Sequence, residues 1–198
     1  MPEDGDRLAR ALAAIDTANA DDPHTLLVRG ATRPKELAHA ELVTEWVREL
    51  VAEPSEALLL AARAHHVRRW EIPRSSEPEG RAGYHRWRVA LQDHHAAVAA
   101  RILGDVGYGA DTIARVRQLI RKRGLGSDPE VQALEDALCL VFVETQFSEL
   151  AARLDEEKLV LVTRKTLAKM SRAAIERAVA LPLADRDRAL LERAAAGD

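Results

Sequence analysis

The sequence predicts an all-α protein of about eight or nine helices. Apolar residues recur at helical spacing along most of the 198 residues, and residues typical of helix N-caps precede several of these stretches. The alternation typical of half-buried strands is almost absent. The length fits one domain, so we expect a single compact helical domain over residues 1–198. Within it we expect a helical arm over residues 1–30 and a core over residues 31–198.

Two helices are expected before residue 51. In the first helix, Leu8, Leu12 and Ile15 form a short apolar stripe that ends in the polar run before Pro23. A loop is expected next, and Pro34 suits the first turn of a second helix. One face of that second helix carries His39, Leu42, Val43, Trp46 and Leu50.

Ser55 is a suitable N-cap for a third helix, which we expect to include the His65–His66 pair and to end at Pro73. Residues 71–83 form the one long connection, which is rich in Pro, Gly and Ser, and loops of this length are usually functional or mobile. A fourth helix is expected over residues 84–103. Its apolar side carries Trp87, Leu91, Val98 and Ile102.

The last third of the chain carries further N-cap signals. Asp111 is expected to cap a fifth helix, and Asp128 followed by Pro129 to open a sixth. Residues 137–143 (ALCLVFV) are apolar on all sides, which predicts a central buried helix. A buried strand is the alternative here and at residues 159–162 (LVLV), but a lone strand has no partner. Asp155 and Ser171 are expected to cap two more helices, before a last one.

Charge and composition exclude several classes of protein. The 29 basic and 32 acidic residues give a net charge of −3, which excludes a broadly cationic nucleic-acid coat and disfavours nucleic acid as a partner. Cys139 is the only cysteine, so an internal disulfide and a zinc ribbon are excluded. No apolar run approaches ~20 residues and the N-terminus is acidic. We therefore expect a cytoplasmic protein that does not enter a membrane.

Five ionisable residues lie among apolar neighbours on four predicted helices. They are His39, His65, His66, His95 and Asp136. Imidazoles and a carboxylate are ligands that first-row divalent metals prefer, and helical metalloproteins build such sites where helices converge. These residues are therefore predicted to bind a divalent transition metal: Zn, Mn, Fe, Ni or Co. The alternative is that the histidines are hydrogen-bonded core residues and that the aspartate pairs with an arginine.

Arginines are concentrated around the long loop. Between Arg63 and Arg88 there are seven arginines and three acidic residues, whereas residues 128–157 carry nine acidic residues and one arginine. Guanidinium groups suit phosphate and carboxylate oxygens, so Arg69, Arg74 and Arg81 are predicted to bind substrate. Three aromatic residues offer a stacking surface for a base: Trp70, Tyr84 and Trp87. Alternatively, the arginines pair with the acidic stretch or are solvated.

The order of these residues resembles that of HD-domain metal-dependent phosphohydrolases. That superfamily has an early histidine, a His-Asp pair that ends a later helix, and an aspartate on a central buried helix. His39, the His65–His66 pair and Asp136 occur in this order here. The stretch from His95 to Leu103 is similar to the extra-histidine segment of the larger members. The resemblance implies an HD-like fold.

Three segments resemble more closely the bacterial and fungal family of domain of unknown function 4202. They are RAHHVRRWEIPR, EGRAGYHRWR and LEDALCLVF, and the resemblance runs from about residue 30 to the C-terminus. That family implies no established activity.

The sequence departs from the HD superfamily at His66, which stands where the superfamily has a metal-binding aspartate. Three outcomes are open. His66 binds the metal in a nitrogen-rich site that favours Zn, Fe or Ni over Mg; His65 or His95 binds and His66 is a general base or a supporting residue; or the metal site is lost.

The HD resemblance implies a metal-dependent hydrolase of a phosphorylated small molecule, a nucleotide or related phosphoester. His66 and His95 are then the candidate catalytic residues, and the metal activates water and polarises the phosphoryl oxygen. Two alternatives stay open: a non-catalytic helical module that binds a nucleotide, another anion or a protein, and a di-iron HD-like oxygenase. A homodimer is also open, since Trp46 and the last two helices offer apolar surface.

Overall fold

The all-α prediction is confirmed in residues 2–196, which the computed structural model describes. They contain ten α-helices, two short 3₁₀ helices and one two-stranded β-hairpin, so the α-helices are slightly more numerous than expected. The chain divides into two compact units, Met1–Gly124 and Leu125–Asp198. That the units act as one domain stays a prediction.

The first unit contains five α-helices, the hairpin and both 3₁₀ helices. These are α1 (Pro2–Ala20), β1 (Thr25–Val28), β2 (Ala31–Pro34), α2 (Lys35–Leu50), α3 (Glu56–Ala64), the 3₁₀ helices Arg69–Glu71 and Arg74–Ser76, α4 (Arg81–Val106) and α5 (Ala110–Ile120). Helix α3 packs against α1, α2, α4 and α5 and is therefore the centre of this unit. Helix α1 contributes to the same core, because Ala11 and Ile15 are fully buried.

The N-cap of α3 is as predicted, but its end is not. The Ser55 hydroxyl accepts a hydrogen bond from the backbone N–H of Leu58 at 3.1 Å. The helix ends at Ala64, not at Pro73. Arg68 has a φ of 53°, in the left-handed region, which turns the chain soon after the helix ends. His65 and His66 therefore lie in a turn, and the prediction of a longer helix is wrong.

The hairpin replaces the loop that the sequence predicts before α2. Thr25 pairs with Pro34, and Val28 with Ala31, in antiparallel register. Arg29 and Gly30 connect the strands with φ values of 50° and 80°. Two positive φ values in a two-residue connection match the twist of a hairpin, and this favours glycine at the second position.

Two further expectations concern α4 and α5. Helix α4 is longer at both ends than expected. The prediction that Asp111 caps α5 is wrong, because Gly109 is the N-cap residue and Asp111 lies in the first turn. There its negative charge interacts favourably with the positive end of the helix dipole, although Asp111 is not the capping residue.

The second unit contains five helices, and three of their N-caps are as predicted. The helices are α6 (Pro129–Thr145), α7 (Phe147–Arg153), α8 (Glu156–Leu167), α9 (Arg172–Val179) and α10 (Asp185–Ala196). The side chains of Asp128, Asp155 and Ser171 each accept a backbone N–H from the first turn. Residues 137–143 and 159–162 are helical, so the strand alternative is excluded.

The core of the second unit forms around α6. Its residues Ala137, Leu140 and Val141 are fully buried, and it packs against α7 and α9. Helix α8 packs against α10. Within the described residues, no helix is both long and apolar enough to cross a bilayer.

Candidate metal centre

Four imidazole rings from three separate stretches meet in the first unit. The ring centroids of His65 and His66 are 4.2 Å apart, and that of His39 lies 5.1 Å from each of them. The His95 centroid lies 5.6 Å from that of His66. His39, His65 and His95 are buried and His66 is half-buried. The structure thus brings together the four histidines that the sequence analysis selects.

Helix packing places these rings. His39 lies on the buried face of α2 beside Leu42 and Val43, and His95 lies on the buried face of α4. His65 and His66 directly follow α3, the central helix of the unit, so both project from a fixed point of the core.

Hydrogen bonds orient three of the rings in the same way. Nδ1–H of His65 donates to the carbonyl of Ala62 at 2.8 Å, and Nδ1–H of His95 donates to the carbonyl of Val67 at 2.9 Å. Nδ1–H of His66 donates to the Glu36 carboxylate at 3.1 Å. This leaves the lone pair on Nε2 of each ring, which is the usual arrangement of metal-binding histidines.

Three ring nitrogens of the cluster are buried without a hydrogen-bond partner among the described residues. They are Nδ1 of His39, Nε2 of His65 and Nε2 of His95. A buried, unsatisfied acceptor costs ~1–3 kcal/mol, so each one calls for an explanation. An ion that accepts the lone pairs of His39 and His65 supplies one for these two rings.

The histidines are neutral at physiological pH. Burial lowers the pKa of His39 and of His95 to about 3, and it lowers the pKa of His65 and His66 well below the ordinary value. Nearby positive charge, notably Arg69, lowers the pKa of three of these histidines further. Neutral imidazole is the form that binds metals.

The spacing fits one ion held by three histidines. One ring nitrogen from each of His39, His65 and His66 lies within 4.8 Å of the other two. Ligands at bond lengths of ~2.1 Å are at most ~4.2 Å apart, so small side-chain movements suffice to close this set around an ion. His95 lies outside the set of three. Three protein ligands leave a coordination position open, as catalytic sites require.

The sequence analysis missed Glu36, which contacts His66. Glu36 is buried, and burial raises the pKa of its carboxyl to about 7, although Arg69 and Lys35 act in the opposite direction. Its backbone N–H donates to the carboxylate of Asp22 at 2.9 Å. In the sequence Glu36 looks like an ordinary first-turn acid, and nothing there signals a contact thirty residues away.

A cavity of about 230 Å³ lies next to the histidine cluster. Glu36, which contacts His66, is one of its lining residues. Its lining residues are Asp22, His24, Lys35, Glu36, Arg69, Trp70, Ile72, Pro73, Arg74 and Trp87. The walls therefore combine three cationic side chains, two carboxyl groups and two indole rings. None of the four clustered histidines lines it, so Glu36 and Arg69 connect the cavity to the cluster.

The structure places the three predicted substrate-binding arginines differently. Arg69 lies 3.8 Å (Nε to Oε1) from Glu36, and its guanidinium carbon is 5.0 Å from the centroid of the Trp87 ring. Arg74 also lines the cavity, but it donates to the carbonyls of residues 77 and 78. Arg81 is exposed at the start of α4 and does not line the cavity. Substrate binding by these arginines stays a prediction.

Two further residues are His24, which the sequence analysis did not select, and Asp136, which it did. His24 is exposed and lines the cavity, and its Nδ1–H donates to Asp22 at 3.0 Å. Asp136 is buried in the second unit, where its Oδ1 accepts from the Gln132 side chain at 2.9 Å and from the Ser171 N–H at 2.8 Å. These donors satisfy the buried carboxylate, and its role as a metal ligand stays a prediction.

Comparison with known proteins identifies a family. No curated protein and no solved structure matches the chain. The model of the family described as "Domain of unknown function (DUF4202)" matches residues 9–191, which confirms the closer of the two resemblances. The chain therefore belongs to the DUF4202 family.

Proposed function

We propose that the protein is an HD-domain-like metal-dependent hydrolase of a phosphorylated small molecule, such as a nucleotide or related phosphoester. The observation that carries the proposal is the set of converging histidines with buried, unpartnered ring nitrogens. His39 lies on α2, and the His65–His66 pair directly follows α3. This order along the chain supports the HD resemblance.

His39, His65 and His66 would hold the ion. Neutral nitrogen ligands favour Zn, Fe, Co or Ni over Mg. When bound, such an ion supplies a Lewis acid that activates water and polarises a phosphoryl oxygen.

The chain's own residues supply proton transfer and binding. The free lone pair on Nε2 of His95 lies beside His66 but outside the set of three, so His95 would accept the proton of the attacking water. Burial lowers the pKa of His95 to about 3, and the negative charge of a bound phosphate would raise it. Arg69 and Lys35 attract the phosphate through charge, and Trp87 gives a planar surface for the remainder of the substrate.

The test is hydrolysis of p-nitrophenyl phosphate and nucleoside monophosphates by metal-free protein reloaded with Zn, Mn, Fe, Ni or Co. Hydrolysis should depend on one of these metals and disappear in His65→Ala. The exposed His85 offers a matched control, because His85→Ala removes an imidazole outside the cluster. Hydrolysis that survives in His65→Ala would contradict the proposal.

A non-catalytic anion-binding module is the second candidate. One observation favours it: none of the four clustered histidines lines the cavity that contains Lys35, Arg69 and Arg74. Nucleotide binding of equal affinity in metal-free protein and in His65→Ala, without hydrolysis, would support this module.

A further inference from the structure

We infer that Glu36 is a positioning residue of the metal centre, which holds His66 in the tautomer whose Nε2 is free to bind the ion. The inference rests on the proposed function for its metal. The orientation of His66 can nevertheless be measured without any metal.

The contact itself is direct. The Oε2 atom of Glu36 accepts the Nδ1–H of His66 at 3.1 Å. When the Glu36 carboxyl group is ionised it can only accept, so the proton of the neutral ring then lies on Nδ1 and the lone pair lies on Nε2. A neutral histidine without such a partner can adopt either tautomer. The tautomer of His66 is therefore imposed by its neighbour.

Glu36 is itself held in place. The backbone N–H of Glu36 donates to Oδ2 of Asp22, while Oδ1 of the same carboxylate accepts the N–H of His24 at 2.9 Å. This fixes the first turn of α2. Arg69 lies 3.8 Å from the other carboxylate oxygen of Glu36 and offsets part of its charge.

A contribution to stability does not explain why Glu36 is buried. Only 4% of the surface of Glu36 is exposed, and a buried carboxylate carries a desolvation penalty that pairing offsets only in part. Carboxylates that accept the second N–H of a metal-binding histidine raise its basicity and fix its ring, and their loss typically weakens metal binding ~10–100-fold.

The experiment compares Glu36→Ala and Glu36→Gln with the wild-type chain. The control is Glu41→Gln, which removes an acid of the same helix that pairs with Arg33 at 2.9 Å, away from the cluster. Metal-free protein labelled with ¹⁵N-histidine is studied by long-range ¹H–¹⁵N NMR, which distinguishes Nδ1–H from Nε2–H rings. Cobalt affinity is then measured by competition with a chromophoric chelator, and unfolding is followed by circular dichroism.

We expect His66 to carry its proton on Nδ1 in the wild type and in Glu41→Gln, and on Nε2 in Glu36→Ala. Cobalt affinity should fall ~10–100-fold in Glu36→Ala and less in Glu36→Gln, whose side chain keeps an acceptor oxygen. Thermal stability of the metal-free variants should not fall in parallel.

Two results would overturn the inference: an unchanged His66 tautomer in Glu36→Ala, or wild-type cobalt affinity in that variant. If the wild type binds no cobalt but the tautomer changes as expected, then the proposed function fails and the orienting contact stands. If cobalt binds as expected but no phosphoester is hydrolysed, the hydrolase fails and the positioning role stands.

Discussion

The side chain of Asn19, near the end of α1, accepts a hydrogen bond from the backbone N–H of Arg68 at 3.1 Å. Arg68 has a φ of 53° and follows the turn that carries His65 and His66. Nε2–H of His94, on α4, donates to the carbonyl of Arg68 at 3.2 Å. Two helices thus hold a residue with a strained backbone, which lies two positions after His66.

Asn19→Ala should destabilise the protein by ~1–3 kcal/mol, because the fully buried Asn19 is the partner of the Arg68 N–H. Urea unfolding followed by circular dichroism measures this change. Arg68→Gly is the companion variant and should be tolerated better than Arg68→Ala, since glycine adopts a positive φ without strain. Equal stability of Arg68→Gly and Arg68→Ala would contradict the assigned strain.

His95→Asn should reduce hydrolysis much more than metal affinity. Asparagine can keep the donor to the carbonyl of Val67 but lacks the free nitrogen that we assign to proton transfer. Turnover of p-nitrophenyl phosphate and zinc affinity are measured in parallel, with His85→Asn as the exposed control on the same helix. A loss of zinc that fully accounts for the lost turnover would make His95 a ligand instead.

Arg69→Ala should weaken binding of a nucleoside monophosphate about tenfold or more, because hydrogen bonds to charged groups contribute ~1.5–3 kcal/mol. Isothermal titration calorimetry measures the affinity. Arg81→Ala should have the smallest effect of the predicted arginines, since Arg81 is exposed and does not line the cavity. A larger loss in Arg81→Ala than in Arg69→Ala would contradict the assignment of the cavity.

The phenol of Tyr108 should resist ionisation. Burial raises its pKa to about 12, and the hydrogen bond from its hydroxyl to Glu56 acts in the same direction. The folded state therefore favours the protonated phenol. This contribution to stability is complete below pH ~10 and is lost as the pH rises through about 12.

Tyr84→Phe leaves Tyr108 as the only tyrosine, so phenolate absorbance then reports this residue alone. Glu56→Gln in that background should move the midpoint of ionisation towards 10. A midpoint that is already near pH 10 with Glu56 present would show that the contact does not protect the phenol.

Local signals predicted much of the helical framework. Ser55, Asp128 and Asp155 are N-caps because their side chains accept nearby N–H groups, and this pattern is visible in the sequence. The hairpin was missed because Arg-Gly is a weaker turn signal than Asn-Gly and because Pro34 argues against a strand.

The histidines of the site were identifiable, but their surroundings were not. His39, His65, His66 and His95 stand out as ionisable residues among apolar neighbours. Their partners, by contrast, depend on tertiary packing. The pairing of Asn19 with Arg68 spans 49 positions, and Glu36 bonds His66 across 30. No periodicity in the sequence encodes such contacts.

Elemental analysis of the purified chain after equilibrium dialysis against Zn, Mn, Fe, Ni and Co tests the central claim most directly. We predict close to one equivalent of a transition metal per chain in the wild type and in His85→Ala, and almost none in His39→Ala or His65→Ala. A wild type that retains no metal, or variants that all retain it equally, would contradict the proposed metal centre.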